Sequence, residues 1–70
     1  MRIAFDPETD SLYIHLSERP GVNSDEVSDG VVCDFDADGI LVGIDVQHAR
    51  SRADLSQLKL SKLPVVELAA

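Results

Sequence analysis

Hydrophobic and polar residues alternate in the first quarter of this chain as they do in a β-hairpin. Residues 11–16 read Ser-Leu-Tyr-Ile-His-Leu, and the strand-like stretch 2–6 precedes them. The intervening segment around Pro7 has the composition of a turn, because proline fixes φ and neighbouring acids accept hydrogen bonds from backbone amides. The alternation predicts two antiparallel strands joined by a tight connection. The predicted register puts Phe5 opposite Leu12 and Ile3 opposite Ile14 on one face, with Ala4, Tyr13 and His15 on the other.

A second hairpin is predicted between residues 31–35 and 40–46, which are rich in β-branched residues. The segment Asp36-Ala37-Asp38-Gly39 suits a type I turn closed by a left-handed glycine. The predicted register pairs Phe35 with Ile40, Cys33 with Val42 and Val31 with Ile44.

Outside the hairpins the pattern is weaker. Residues 17–29 form a polar connection, with a short extended piece expected around Glu26 and Val27. Residues 54–59 suit a short helix with Leu55 and Leu58 on one face, which would cover the sheet. The predicted fold class is therefore α+β, a small antiparallel β-sheet built from two β-hairpins with one short C-terminal helix. It forms a single domain over residues 1–70, with the sheet in 1–46 and the helix and tail in 47–70.

The acidic turn also matches the spacing of a calcium-binding loop, with glycine at its sixth position. The carboxylates that would bind the ion are Asp34, Asp36, Asp38 and Asp45. That template needs helices on both sides of the loop, whereas the flanks here favour strands. The hairpin is the preferred interpretation and no metal site is predicted, but a divalent-cation-binding protein stays open as an alternative.

The net charge of −7 argues against sequence-independent binding to nucleic acid or to anionic membranes, which both need Lys and Arg. No apolar run approaches the roughly 20 residues of a membrane span, and no signal peptide precedes the first strand. Cytoplasmic localisation is therefore the expectation. The basic residues Arg50, Arg52, Lys59 and Lys62 are interpreted as a solvated segment that offsets the acidic body.

No local motif combines a nucleophile, a base and a group that orients the base. His15 and His48 are isolated along the chain, and the lone Cys33 is typical of a small buried hydrophobic residue. We therefore expect no enzymatic activity, no catalytic residue and no cofactor.

A chain of 70 residues buries too little surface for high stability, so self-association is a natural remedy. An apolar patch rimmed by charge is expected on the Tyr13 side of the sheet. The interface candidates are Tyr13, His15, Val32 and Leu41. They predict a non-enzymatic interaction module that forms a homodimer and binds a protein partner.

Two segments together resemble a known family. Residues 5–16, with an aromatic-Asp turn followed by Leu-Tyr-Ile, resemble its opening signature, and residues 30–46 resemble its second half. The family consists of small bacterial domains of unknown function, numbered 2283, and the resemblance covers about residues 1–49. Its usual acid at the end of the second half is Glu, where this chain has Asp45. The resemblance implies a compact β-rich domain with a trailing helix and carries over no functional residue. An antitoxin-like regulator is a further alternative.

Overall fold

The structure is a computed structural model that describes residues 1–69. Its elements are β1 (Arg2–Asp6), β2 (Ser11–His15), β3 (Asn23–Ser28), β4 (Val31–Phe35), β5 (Leu41–Gln47) and α1 (Ala49–Arg52). The strands form one five-stranded antiparallel sheet in the order β1-β2-β5-β4-β3. The last strand of the chain therefore lies at the centre, between the β1–β2 hairpin and the β3–β4 hairpin. No helix in residues 1–69 is long and apolar enough to cross a membrane.

The first hairpin is confirmed with its register. Phe5 lies opposite Leu12 and Ile3 opposite Ile14, as the alternation predicts. The turn ends at Asp10, whose φ of 54° places it in the left-handed region that short acidic side chains tolerate.

The predicted turn between β4 and β5 is also confirmed. The amide of Gly39 donates to the carbonyl of Asp36 over 3.0 Å, and Gly39 has a φ of 79°. The Asp36 carboxylate accepts from the amides of Asp38 and Ile40, both at 2.9 Å. Asp36 therefore closes the turn with its side chain, as aspartate commonly does.

The predicted register of this second hairpin is wrong by one residue at Phe35, which lies opposite Leu41, and by two residues further along β4. Val31 lies opposite Val46 and Cys33 opposite Ile44, and the register shifts again between Asp34 and Phe35. One residue of the difference comes from a turn that is one residue longer than predicted, and the second comes from a β-bulge that leaves Val42 without a partner in β4. The Val42 carbonyl instead accepts from the amide of Leu16, at 2.9 Å, in the chain that leaves β2.

The polar connection predicted over residues 17–29 contains a complete strand. β3 pairs with β4 along its length, and its register shifts between Glu26 and Ser28. Asp29 and Gly30 form the connecting turn, with Gly30 at a φ of 74°. The Asp-Gly dipeptide is a hairpin signal, but the exposed residues of β3 carry no hydrophobic alternation that reveals a strand.

The helix lies earlier in the chain than predicted. α1 spans Ala49–Arg52, and the predicted helix at residues 54–59 is wrong, because residues 54–69 form neither helix nor strand. Tertiary contacts fix α1, since the Asp10 carbonyl accepts from the Ala49 amide and the Asp10 carboxylate accepts from the Arg50 amide, each at 3.0 Å. The fold is therefore mostly antiparallel sheet with one very short helix.

Cross-strand partners share a face and alternate residues lie on opposite faces, so the register divides the sheet into two chemically different sides. The apolar face carries Ile3, Phe5, Leu12, Ile14, Val31, Cys33, Phe35, Leu41, Ile44 and Val46. The polar face carries Arg2, Asp6, Ser11, Tyr13, His15, Ser24, Glu26, Val32, Asp34 and Asp45.

Little of this chain is buried. Among residues 1–69 the buried hydrophobic residues are Val42 and Ala49, and no large side chain is fully buried. The residues of the apolar face are half-buried or exposed, with Ile3 at 44% and Phe5 at 38% exposure. A sheet whose apolar side stays this open lacks the packed second layer on which such folds normally rely.

Candidate functional site

A hydrogen-bonded cluster occupies the centre of the polar face. The Tyr13 hydroxyl donates to Oδ2 of Asp34, and the Ser24 hydroxyl donates to Oδ1 of Asp34 over 2.6 Å. The ring of His15 packs against Tyr13 with centroids 4.3 Å apart and planes tilted by 57°. The cluster therefore ties together side chains from β2, β3 and β4 across the whole width of β5.

Gly43 makes this arrangement sterically feasible. It lies in β5 between His15 and Asp34 in the register, and Tyr13 passes over it on the way to Asp34. A Cβ at this position would lie 2.7 Å from Cζ and 2.9 Å from Cε1 of Tyr13. Only glycine leaves room for the aromatic ring to lie directly on the strand.

The hydrogen bonds shift the acid–base properties of both partners. The hydrogen bond from Ser24, followed by that from Tyr13, lowers the pKa of Asp34. The hydrogen bond to the Asp34 carboxylate, with a further contribution from burial, raises the pKa of Tyr13 to about 12. At neutral pH Tyr13 is therefore a hydrogen-bond donor to a carboxylate. A tyrosine with a raised pKa keeps its proton over a wider pH range, so Tyr13 can keep donating to Asp34 well above neutral pH.

Asp45 lies beside this cluster, opposite Tyr13 on β2 and Val32 on β4. Its Oδ1 atom is buried and has no hydrogen-bond partner among residues 1–69. The Asp45 side chain as a whole is half-buried.

The four carboxylates of the calcium-loop alternative do not come together as one group among the described residues. Asp34 belongs to the Tyr13 cluster and Asp45 to the neighbouring position in β5. Asp36 closes the turn, and Asp38 pairs with Arg19 at 2.7 Å. The segment is flanked by strands, and the described chain holds no group of three or more His, Cys, Asp or Glu side chains placed to bind a metal ion.

Arg19 stabilises the turn from outside. Its Nε lies 3.0 Å from Oδ2 of Asp36, a carboxylate that is only 2% exposed. Backbone hydrogen bonds, with the Ile40 amide foremost, lower the pKa of Asp36, and the Arg19 charge acts in the same direction. These contacts hold the acidic turn through Arg19 and through its own backbone amides.

Two of the four basic residues near the C-terminus make specific contacts within the chain. Arg50 donates to the carbonyl of Pro7 over 3.2 Å and lies 5.2 Å from the centroid of the Phe5 ring. Arg52 donates to the carbonyl of Asp29 over 2.6 Å. α1 therefore holds the β1–β2 turn with one arginine and the β3–β4 turn with the other. The interpretation of these two arginines as merely solvated is corrected accordingly.

The predicted interface residues fall on both faces. Tyr13, His15 and Val32 share the polar face as expected, but Leu41 lies opposite Phe35 and therefore on the apolar side. The mistaken register of the second hairpin caused this misplacement. The larger apolar surface lies on the opposite side of the sheet, where each hairpin places its branched residues. The predicted pairs Phe5–Leu12 and Ile3–Ile14 already indicated an apolar surface on that side of the sheet.

The sequence matches one protein family over most of its length. The DUF2283 family, described as a protein of unknown function, matches residues 2–50, which include all five strands and the start of α1. No curated protein and no solved structure matches the chain. The protein therefore belongs to the DUF2283 family.

Proposed function

We propose that this protein is a non-enzymatic interaction module that forms a homodimer through the apolar face of its sheet. The observation that carries the proposal is the open apolar face, which has ten apolar side chains, all of them half-buried or exposed. A second copy supplies a surface of the same chemistry, and a two-fold axis lets one patch complement itself.

The exposed area supports a dimer of ordinary size. The described chain exposes 5490 Å². A compact monomer of 7.6 kDa is expected to expose about 4,300 Å². The excess of about 1,200 Å² is comparable to the roughly 800 Å² that each partner buries in a standard interface. Association would therefore bring the chain to the surface area of a normally packed protein.

The distribution of charge favours the apolar face over the polar face as the interface. The polar face carries five charged strand residues, namely Arg2, Asp6, Glu26, Asp34 and Asp45, and four of them are acids. Among the strands the apolar side carries only Asp25, at its β3 edge. Contact between two polar faces would bring like charges together, whereas contact between two apolar faces leaves the carboxylates outward. An outward acidic face is also the surface on which a basic protein partner would find complementary charge.

Two adjacent residues of β4 provide a matched test. Val31 lies on the apolar face and Val32 on the polar face, and both are half-buried. We expect Val31→Asp to produce a monomer and Val32→Asp to remain a dimer in multi-angle light scattering, with circular dichroism confirming the sheet in both. An unmodified chain that stays monomeric at millimolar concentration would refute the proposal, as would equal effects of the two substitutions.

The lone cysteine gives a second readout that does not depend on a destabilising substitution. Cys33 lies on the apolar face and is not in a disulfide. A short bismaleimide should couple two unmodified chains through Cys33 if their apolar faces meet. A chain with Cys33→Ser and Ser24→Cys, which moves the thiol to the polar face, should couple far less.

A further inference from the structure

The last part of the chain is strongly apolar and loosely packed. The C-terminal segment, which we define as residues 54–69, contains Leu55, Leu58, Leu60, Leu63, Val65, Val66 and Leu68. Their exposure ranges from 41% for Leu55 to 103% for Val66. No backbone hydrogen bond joins residues 57–69 to the rest of the described chain. The C-terminal segment is thus as rich in apolar residues as a buried element, but its apolar side chains are exposed to solvent.

Within one chain, the C-terminal segment reaches only half of the apolar face. Leu55 and Leu58 lie over the β1–β2 half, where a cavity of about 680 Å³ remains between them and the sheet. The sheet side of that cavity is lined by Ile3, Phe5, Leu12 and Ile14. Leu60, Leu63 and Val65 line a second cavity beside β1. The β4–β5 half, with Val31, Cys33, Ile44 and Val46, contributes to neither lining.

Charge at the edge of the β4–β5 half complements the two lysines of the C-terminal segment. Asp25 lies opposite Cys33 and therefore borders the β4–β5 half. Asp25 forms no ion pair within residues 1–69, and neither do Lys59 and Lys62 of the C-terminal segment. Two unpaired cations and one unpaired carboxylate are thus available to meet between copies.

We infer that the C-terminal segment of each copy packs on the β4–β5 half of the partner's apolar face. The inference rests on the proposed homodimer and adds the identity of the contacting element. A two-fold axis over the apolar face makes the exchange reciprocal, because each segment then covers the half that the partner's own segment leaves open. The exchange buries leucines that one chain alone leaves exposed, and it brings Lys59 and Lys62 towards the partner's Asp25.

Disulfide formation between different copies tests the exchange. Full-length chains carrying only the native Cys33 would be mixed and refolded with chains carrying Cys33→Ser and Leu60→Cys, and then oxidised gently. We expect a mixed disulfide between the native thiol and the introduced one, identified by mass. A partner chain with Cys33→Ser and Ala37→Cys is the matched control, because residue 37 lies at the exposed tip of the β4–β5 turn and should give at least tenfold less mixed product.

The experiment separates this inference from the homodimer itself. Light scattering on the same unmodified chain reports the dimer independently. A dimer that forms no mixed disulfide with Leu60→Cys, nor with Leu63→Cys as a second position, would overturn the exchange and leave the homodimer standing. A monomer in light scattering would overturn both.

Discussion

Substitution of Gly43 by alanine tests how the polar face is assembled. A Cβ at Gly43 would lie 2.7 Å from Cζ of Tyr13, well inside van der Waals contact. The Tyr13 ring must therefore move, and its hydrogen bond to Asp34 is lost with it. The expected result is a less stable protein that retains its strand order.

The magnitude follows from three opposing contributions. Overpacking of this kind costs about 1–3 kcal/mol. Loss of one partly solvated hydrogen bond costs about 1 kcal/mol more. Replacement of glycine by alanine restricts the unfolded chain and returns about 0.4–1 kcal/mol. We therefore expect Gly43→Ala to lower the free energy of unfolding by about 2 kcal/mol, roughly a thirty-fold change in the equilibrium constant.

Urea unfolding followed by circular dichroism, at one fixed protein concentration, measures this loss. The informative control is a double-mutant cycle with Tyr13→Ala, because the three atoms nearest to a Cβ at Gly43 all belong to Tyr13. Without the ring, alanine at Gly43 should cost less than about 0.5 kcal/mol, or even stabilise the strand. An equal penalty in both backgrounds would refute the explanation and point to strain in β5 itself.

Two further predictions concern the same sheet. Tyr13 is the only tyrosine and the chain has no tryptophan, so ultraviolet absorbance reports its ionisation alone. We expect a midpoint near pH 12 in the folded protein, and a lower one in Asp34→Asn, since the carboxylate is the main cause of the raised pKa. An unchanged midpoint in Asp34→Asn would contradict the assignment of the raised pKa to that carboxylate. An unfolded tyrosine ionises at a pH of about 10, so the unfolded state releases its proton before the folded state does. The free energy of unfolding should therefore fall as the pH rises from about 10 through the folded pKa of Tyr13. Arg52→Ala should lower the free energy of unfolding by about 1 kcal/mol and speed amide hydrogen exchange at the β3–β4 turn. Arg2→Ala is the control, because it breaks an ion pair in which both side chains are exposed, and it should change stability by less than about 0.5 kcal/mol. Equal losses of stability in the two variants would contradict the role given to Arg52.

The strands that the sequence predicted well are those whose local pattern matches their final surroundings. β2 alternates cleanly, and its partner β1 follows across a short turn, so periodicity alone determined their register. The β4–β5 turn was equally predictable, since Asp36 and Gly39 have conformational preferences that do not depend on the rest of the fold. Its register was not, because the turn is one residue longer than predicted and the bulge at Val42 adds a second shift that no local pattern marks.

The elements that were missed are held by partners distant in sequence. β3 is acidic and exposed, and its pairing with β4 defines it more than its own composition does. α1 is too short to be stable alone and depends on Asp10, about forty residues earlier. The Tyr13 cluster was invisible for the same reason, since Tyr13, Gly43 and Asp34 meet only once the β2–β5 and β4–β5 registers are known. The alternation of residues predicted that one face is apolar and the other polar. The face on which Leu41 lies could be assigned only once the position of the bulge was known.

The position of β5 between β2 and β4 has a consequence for how this protein comes apart. The chain consists of a two-stranded ribbon and a three-stranded meander, which pair along the seam where β2 meets β5 while α1 holds the β1–β2 turn at one end of it. An isolated two-stranded ribbon is at best marginally stable in water. Loss of the pairing between β2 and β5 would therefore release the N-terminal fifteen or so residues together. Because the released ribbon is not stable by itself, no contact that β1 makes should last much longer than that pairing.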